Sequence, residues 1–184
     1  MTRTLYLLCS AAPPVFDVAR IVEDAQARGW DVCLGLTPTA ARWLGNSLDG
    51  LAVLTGHPVR SEYKLPGEPD VWPEADAILF APATFNSVNQ WAQGITSSFV
   101  VGVAAEGIGK RIPLVTTPCV NAAHVQHPQF ERSVAMLRGA GVTVLYGDGG
   151  FTPNEPVQGL QGQPEGYPWG LALEAVETVA ASSV

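Results

Sequence analysis

The chain has 184 residues, 47% of them hydrophobic and 15% charged, with a net charge of −7 and three cysteines. That length suits one domain with a sizeable core, and an acidic balance without a Lys/Arg cluster argues against a surface for nucleic acid or anionic lipid. No basic leader with an apolar core opens the sequence and no run nears the roughly 20 apolar residues of a membrane span, so the expected location is the cytoplasm. So apolar a composition points to surface covered by another subunit, and a homo-oligomer is expected. Cys9, Cys33 and Cys119 lie in apolar runs with no CxxC and no Cys/His spacing, so they read as buried hydrophobes and no metal site is expected.

Thr4–Ser10 is an apolar run ending in small residues, followed by Val15, Val18, Ala19, Val22 and Ala25 at helical spacing until Gly29. Asp31–Gly35 reads as a second strand, and Thr37-Pro38-Thr39 opens a short helix through Trp43 and Leu44. Leu51–Thr55 reads as a third strand, and the Pro-, Gly- and charge-rich stretch from Gly56 to Pro73 as a functional loop. The apolar strand from Ala77 runs into Pro82-Ala83-Thr84-Phe85-Asn86-Ser87, and helical stretches follow around Val88–Gln93 and Phe99–Glu106. The strand from Pro113 runs into Pro118-Cys119-Val120-Asn121, ahead of a helix near Phe130–Arg138 and a strand at Thr143–Tyr146. Gly147–Pro168 is dense in Gly, Pro and Gln and reads as a flexible flap, with a closing helix over Trp169–Ala181. Continuous apolar strands separated by helices predict a single α/β domain over 1–184, a sandwich around a parallel sheet.

In open α/β sheets, ligands sit beyond the carboxyl ends of the strands. Thr84, Asn86 and Ser87 stand there at a helix start, where they either cap the helix or meet an anion or an electron-rich ring. Ser10, Thr37 and Thr39 offer hydroxyls at the same edge, as a phosphate pocket requires. Ser10-Ala11-Ala12 stands where a Gly-rich dinucleotide turn would be, which gives NAD little support.

Several motifs in order resemble the flavoprotein family of FMN-dependent cysteine decarboxylases, which includes phosphopantothenoylcysteine decarboxylase and the peptidyl-cysteine decarboxylases of lantibiotic pathways. Pro82-Ala-Thr-Phe-Asn-Ser87 is similar to the family's Pro-Ala-Ser-Ala-Asn-Thr, and Pro118-Cys-Val-Asn121 with His127-Pro128 is similar to its Pro-x-Met-Asn and trailing His-Pro. Thr37-x-x-Ala40-x-x-Trp43 resembles its Thr-x-x-Ala-x-x-Phe. The resemblance, over Thr4–Tyr146, implies a Rossmann-like (flavodoxin-like) three-layer subunit that binds FMN and assembles as a trimer, with a small-molecule or peptide substrate. It implies cofactor-binding roles for Ser10, Ala11, Thr37, Thr39, Thr84, Phe85, Asn86, Ser87 and Ser98, with Ser10 and Thr37 beside the phosphate. Ser98 falls where the family has an Asp-Asn segment and this chain has Ser97-Ser98.

The family oxidises a cysteine with FMN and then releases carbon dioxide, using a His as acid/base and the Asn of Pro-x-Met-Asn on the substrate carboxylate. Asn121 matches that Asn, but the His position holds Glu68, a residue that serves as a base only if burial raises its pKa. His124 stands where the family has Met and reads either as a site residue or as an interface histidine. Phe85 replaces a small residue and offers a ring that can pack on the flavin. Of the rest, His57 reads as a solvated loop residue, His127 as the start of a helix, and Glu106 and Arg111 as a solvated turn. Trp43, Trp72 and Trp91 read as core or interface anchors. The catalytic candidates are thus Asn121, His124 and Glu68. The implied function is an FMN-dependent oxidoreductase or decarboxylase acting on a small or peptidyl carboxylated thiol. The alternatives are a flavin-binding regulatory subunit with altered catalytic groups and, more distantly, a flavin prenyltransferase.

Overall fold

The computed structural model describes residues 2–147, 150–153 and 166–182. Five parallel strands form one sheet in the order β2-β1-β3-β4-β5: β1 Arg3–Cys9, β2 Trp30–Leu36, β3 Ala77–Ala83, β4 Leu114–Pro118 and the two-residue β5 Thr143–Val144. This is the doubly wound, flavodoxin-like arrangement. Leu5 and Leu7 of β1 pair with Val32 and Leu34 on one side and with Ala77 and Leu79 on the other. All four flanking side chains are buried, which is why the strands read as unbroken apolar runs rather than alternating ones.

Among the described residues the helices are α1 Val18–Ala27, α2 Pro38–Leu44, α3 Leu48–Thr55, α4 Phe85–Ala92, α5 Phe99–Lys110, α6 Ala122–Val125, α7 Pro128–Gly139 and α8 Trp169–Ala181. α1 buries Val18, Ile21, Val22 and Ala25, one stripe at helical spacing. Arg28, which caps α1, reaches Glu177 of α8 at 3.1 Å, so these two helices share a face. α4 and α5 lie on the opposite face: Trp91 packs on Phe80, and Cβ atoms at Gly35 and Gly107 would meet Val100 of α5 and Ile78 of β3. No helix among the described residues is long and apolar enough to cross a membrane.

Leu51–Thr55 is not a strand. It is the end of α3, with Leu51 and Thr55, one turn apart, facing inward while Val53 is 84% exposed. A four-residue apolar run cannot by itself distinguish strand from helix. Leu48, preceding it, and Gly56 at φ 73°, whose N–H returns to Ala52 O, complete a short helix with a left-handed stop. The third strand of the chain is therefore β3, and the whole stretch between β2 and β3 is a long connection.

That connection leaves α3 and adds to the sheet at its open side: Arg60 N–H donates to Leu34 O and Arg60 O accepts from Leu36 N–H. It then crosses the α5 face. Tyr63 donates to the carbonyls of Thr96 and Ser98, and its hydroxyl fills the space that a Cβ on Gly102 would need. Trp72 packs on Tyr6 and Phe99 and donates to Pro58 O, while Tyr6 Oη donates to Pro73 O. A cleft of about 700 Å³ remains between this segment and α5, with Tyr6, Arg60, Trp72 and Lys110 among its walls. Trp72 and Trp91 are core residues, whereas Trp43 stays 45% exposed and stacks on Phe16, itself 59% exposed. His57 is not a free loop residue, for its Nε2 pairs with Asp31 Oδ1 at 2.8 Å and it is half-buried. The Thr143–Tyr146 strand shortens to Thr143–Val144, with Tyr146 bridging to Phe151. Most of the expected flap, 147–168, falls outside the described residues.

Candidate functional site

After β1 the chain turns to the α1 face, and after β3 to the α4 face, so the carboxyl ends of β1 and β3 open a crevice at the reversal of strand order. Backbone bonds hold this edge together: Ser10 N–H donates to Pro82 O, Thr37 N–H to Cys9 O and Cys119 N–H to Ala83 O, each at 2.8 to 2.9 Å. Across the crevice Ser10 Oγ meets Ser87 Oγ at 2.8 Å, with both residues buried. Thr84 caps α4 by accepting from Ser87 N–H and donates to Ser87 Oγ at 3.2 Å. Ser10, Thr84 and Ser87 are thereby one hydroxyl chain, and their first duty is to join the ends of β1 and β3.

Ala11 follows Ser10 and is half-buried. Thr37 caps α2 through Ala40 N–H, and Thr39 Oγ1 accepts from Arg42, which brings one guanidinium to this edge. The Asn86 side chain is exposed on the first turn of α4. Ser98 starts α5 without a side-chain cap, its carbonyl taken by Tyr63.

Beyond β4, Asn121 Oδ1 accepts the His124 N–H at 2.9 Å and so caps α6. Only the amide oxygen can accept that N–H, which fixes the amide orientation and leaves the Nδ2 hydrogens as donors with no protein partner among the described residues. His124 lies flat on Phe85, centroids 4.6 Å apart and planes 15° from parallel. Phe85 in turn meets Phe130 near-parallel at 6.3 Å and the His127 ring edge-on at 5.6 Å. The phenyl ring expected against a flavin is thus already covered by His124. His127 caps α7, its Nδ1 accepting from Gln129 N–H.

Glu68 is not brought to this group within the chain. It sits exposed in the Gly56–Asp76 connection, and its carboxylate accepts from Leu65 N–H at 2.8 Å to close its own turn. Nor does Cys119, two residues from Asn121, offer a nucleophile, since burial pushes its thiol up to about 12 and keeps it protonated. The sequence reading missed Tyr167, whose buried hydroxyl donates to Thr117 O at the end of β4 and is held well above the usual phenol range by burial. Gly/Pro composition around it hid a lone anchoring aromatic. The Thr117 hydroxyl beside it is buried and has no protein partner among the described residues.

A family model described as Flavoprotein matches residues 2–165. A probable phosphopantothenoylcysteine decarboxylase of Streptococcus mutans serotype c is 24% identical over 144 residues, 75% of this chain and 79% of its own length. The FMN-dependent cysteine decarboxylase TvaF of thioviridamide biosynthesis superposes with a TM-score of 0.70 at 21% identity, covering 98% of this chain and 99% of its own. The cypemycin decarboxylase CypD gives 0.71 at 20% identity, over 98% and 94%.

Proposed function

Since the chain belongs to the flavoprotein family, we propose that the crevice between β1 and β3 binds FMN and that the protein is a flavoenzyme of the cysteine-decarboxylase type. The donor set fits that cofactor. Ser10, Ala11, Thr37, Thr39 and Thr84–Ser87 carry no charge, which suits a neutral heteroaromatic ring, and Arg42 at the Thr39 edge suits a phosphate. When bound, FMN would supply the oxidation of a cysteine side chain that makes loss of its carboxylate feasible.

The observation that carries the substrate class is the orientation of Asn121. Its oxygen is committed to α6, so what it offers a ligand is two N–H donors, the complement of a carboxylate. His124 is held beside it as the ionisable group within reach of the same ligand. The substrate is accordingly a small or peptidyl thiol carrying a carboxylate. Asn86 and His124 are exposed in the single chain, which supports a site completed by a neighbouring copy in a homotrimer.

A second reading has an observation of its own: Glu68 stands where the family resemblance places an acid/base His and is spent on closing a turn. It makes the protein a flavin-binding regulatory subunit without turnover. The visible spectrum of the purified protein with and without added FMN tests the cofactor, and colourless protein without saturable binding refutes it. Release of carbon dioxide from N-acetylcysteine or a pentapeptide ending in cysteine then separates the two readings, because only the enzyme turns over. A mass by light scattering that is not a multiple of three 19.4 kDa chains would refute the trimer.

A further inference from the structure

We infer that Phe85 is the positioning residue of this site and acts through His124, fixing the imidazole beside Asn121 so that a neutral ring nitrogen takes the proton the substrate thiol gives up as the cysteine is oxidised, a role Glu68 is not placed to fill. The inference rests on the decarboxylase reading above. Two side chains at which the sequence departs from the family resemblance, a ring for a small residue at 85 and an imidazole for Met at 124, are the two that stack, at 4.6 Å and 15°. Each is anchored independently of the other. Phe85 is the first residue of α4, directly behind the Thr84 cap, and it is backed by Phe130, itself fully buried. His124 is tied by its own N–H to Asn121 Oδ1. The stack therefore joins the end of β3 to the end of β4 through side chains alone. The imidazole belongs to an exposed residue three positions after Asn121.

A histidine on a four-residue helix with no other side-chain support would sample several rotamers, and a proton-transfer group off its geometry by about 1 Å can lose on the order of 100-fold in rate. Phe85 removes that freedom. Among the described residues Phe85 is the ring that stacks on His124.

The test is a double-mutant cycle of Phe85→Leu and His124→Phe, with Phe85→Tyr as the conservative control, on the full chain loaded with FMN. Carbon dioxide release from the cysteine-ending pentapeptide should fall about 100-fold in His124→Phe and by a similar order in Phe85→Leu, recover in Phe85→Tyr, and fall no further in the double variant than in His124→Phe. FMN affinity should stay within about threefold in His124→Phe, which leaves the hydroxyl chain and Phe85 in place, and every rate is compared at saturating FMN. In the FMN-free protein, the His124 ring-proton NMR signals should sit upfield in wild type and Phe85→Tyr and move to the free-imidazole position in Phe85→Leu. If Phe85→Leu costs as much in the His124→Phe background as in wild type, Phe85 does not act through His124. If the His124 signals ignore Phe85→Leu, the stack does not exist in solution. If wild type binds FMN but releases carbon dioxide from neither N-acetylcysteine nor the peptide, the reading of the reaction fails and takes this inference with it.

Discussion

Deleting the Ser87 hydroxyl should destabilise the protein, and deleting the Ser10 hydroxyl as well should restore part of the loss. Among the described residues Ser10 Oγ has Ser87 Oγ as its side-chain partner, whereas Ser87 Oγ also accepts from Thr84 Oγ1. Ser10→Ala therefore breaks one bond and leaves Ser87 satisfied, a cost of about 1 kcal/mol. Ser87→Ala breaks two and strands the Ser10 hydroxyl in a place where almost none of it reaches solvent, a cost of about 2 to 3 kcal/mol. In the double variant no hydroxyl is stranded on the β1 side, and stability should return by about 1 kcal/mol relative to Ser87→Ala. Urea unfolding at constant m-value reads the difference directly, and heat reads it as about 2–4 °C for each kcal/mol in a domain of this size. A double variant less stable than wild type by the full sum of the single losses would refute the hydroxyl chain as the link between the two strand ends.

Asn121→Asp should keep the α6 cap and FMN binding but weaken a cysteine-ending peptide more than about tenfold, because two donors become an anion; equal peptide affinity would show that Asn121 only caps. Gly35→Ala should cost about 1–3 kcal/mol in a urea titration, since the new Cβ would lie 2.8 Å from Leu8 Cδ2 and 3.2 Å from Val100 Cγ1, and a neutral change would show that those side chains yield freely. Stability should fall as pH rises above 9: burial lifts the Cys33 and Cys119 thiols from 9.0 to about 12, so between those values the unfolded chain releases protons that the folded chain keeps. Each thiol contributes a slope of at most about 1.4 kcal/mol per pH unit, and Cys33→Ala should flatten the curve measured by urea midpoints from pH 8 to 11; an unchanged slope would refute the assignment. Tyr167→Phe should cost about 1–2 kcal/mol through the lost bond to Thr117 O, again by urea unfolding, and no cost would show that the hydroxyl is idle.

The sheet was legible because β1, β2 and β3 each carry a continuous hydrophobic run and each is followed by small polar residues where the chain leaves the core. Leu51–Thr55 was not legible, since four apolar residues carry too little periodicity and the deciding helical contacts lie outside them, at Leu48 and Gly56. For the site, the strand-end positions of Ser10, Thr37, Thr84 and Ser87 followed from the fold, but their engagement with one another did not. A hydroxyl reads the same whether it faces a ligand or a second serine 77 residues away. The Phe85–His124 stack was equally hidden, because 39 positions separate its members and only the folding of α4 against the β4 end brings them together. Glu68 shows the opposite limit. Its alignment with a family position was visible, yet its carboxylate answers to a local N–H three residues away.

The bridge at Arg60 bears on how the sheet is closed at its β2 edge. β2 is the outer strand of the sheet, and five of its seven residues, Val32 to Leu36, form an unbroken buried run. Left open, such a strand would offer its amides to any other chain of the same kind, the usual start of edge-to-edge aggregation. Arg60 occupies that ladder at Leu34 and Leu36 with a single residue, and its guanidinium folds back over the Phe99 ring, 4.1 Å from the centroid. One residue therefore ends the sheet and places a charge beside the exit. Shortening the Gly56–Asp76 connection, an attractive edit for anyone seeking a more compact scaffold, would uncover this apolar edge and favour strand-to-strand association.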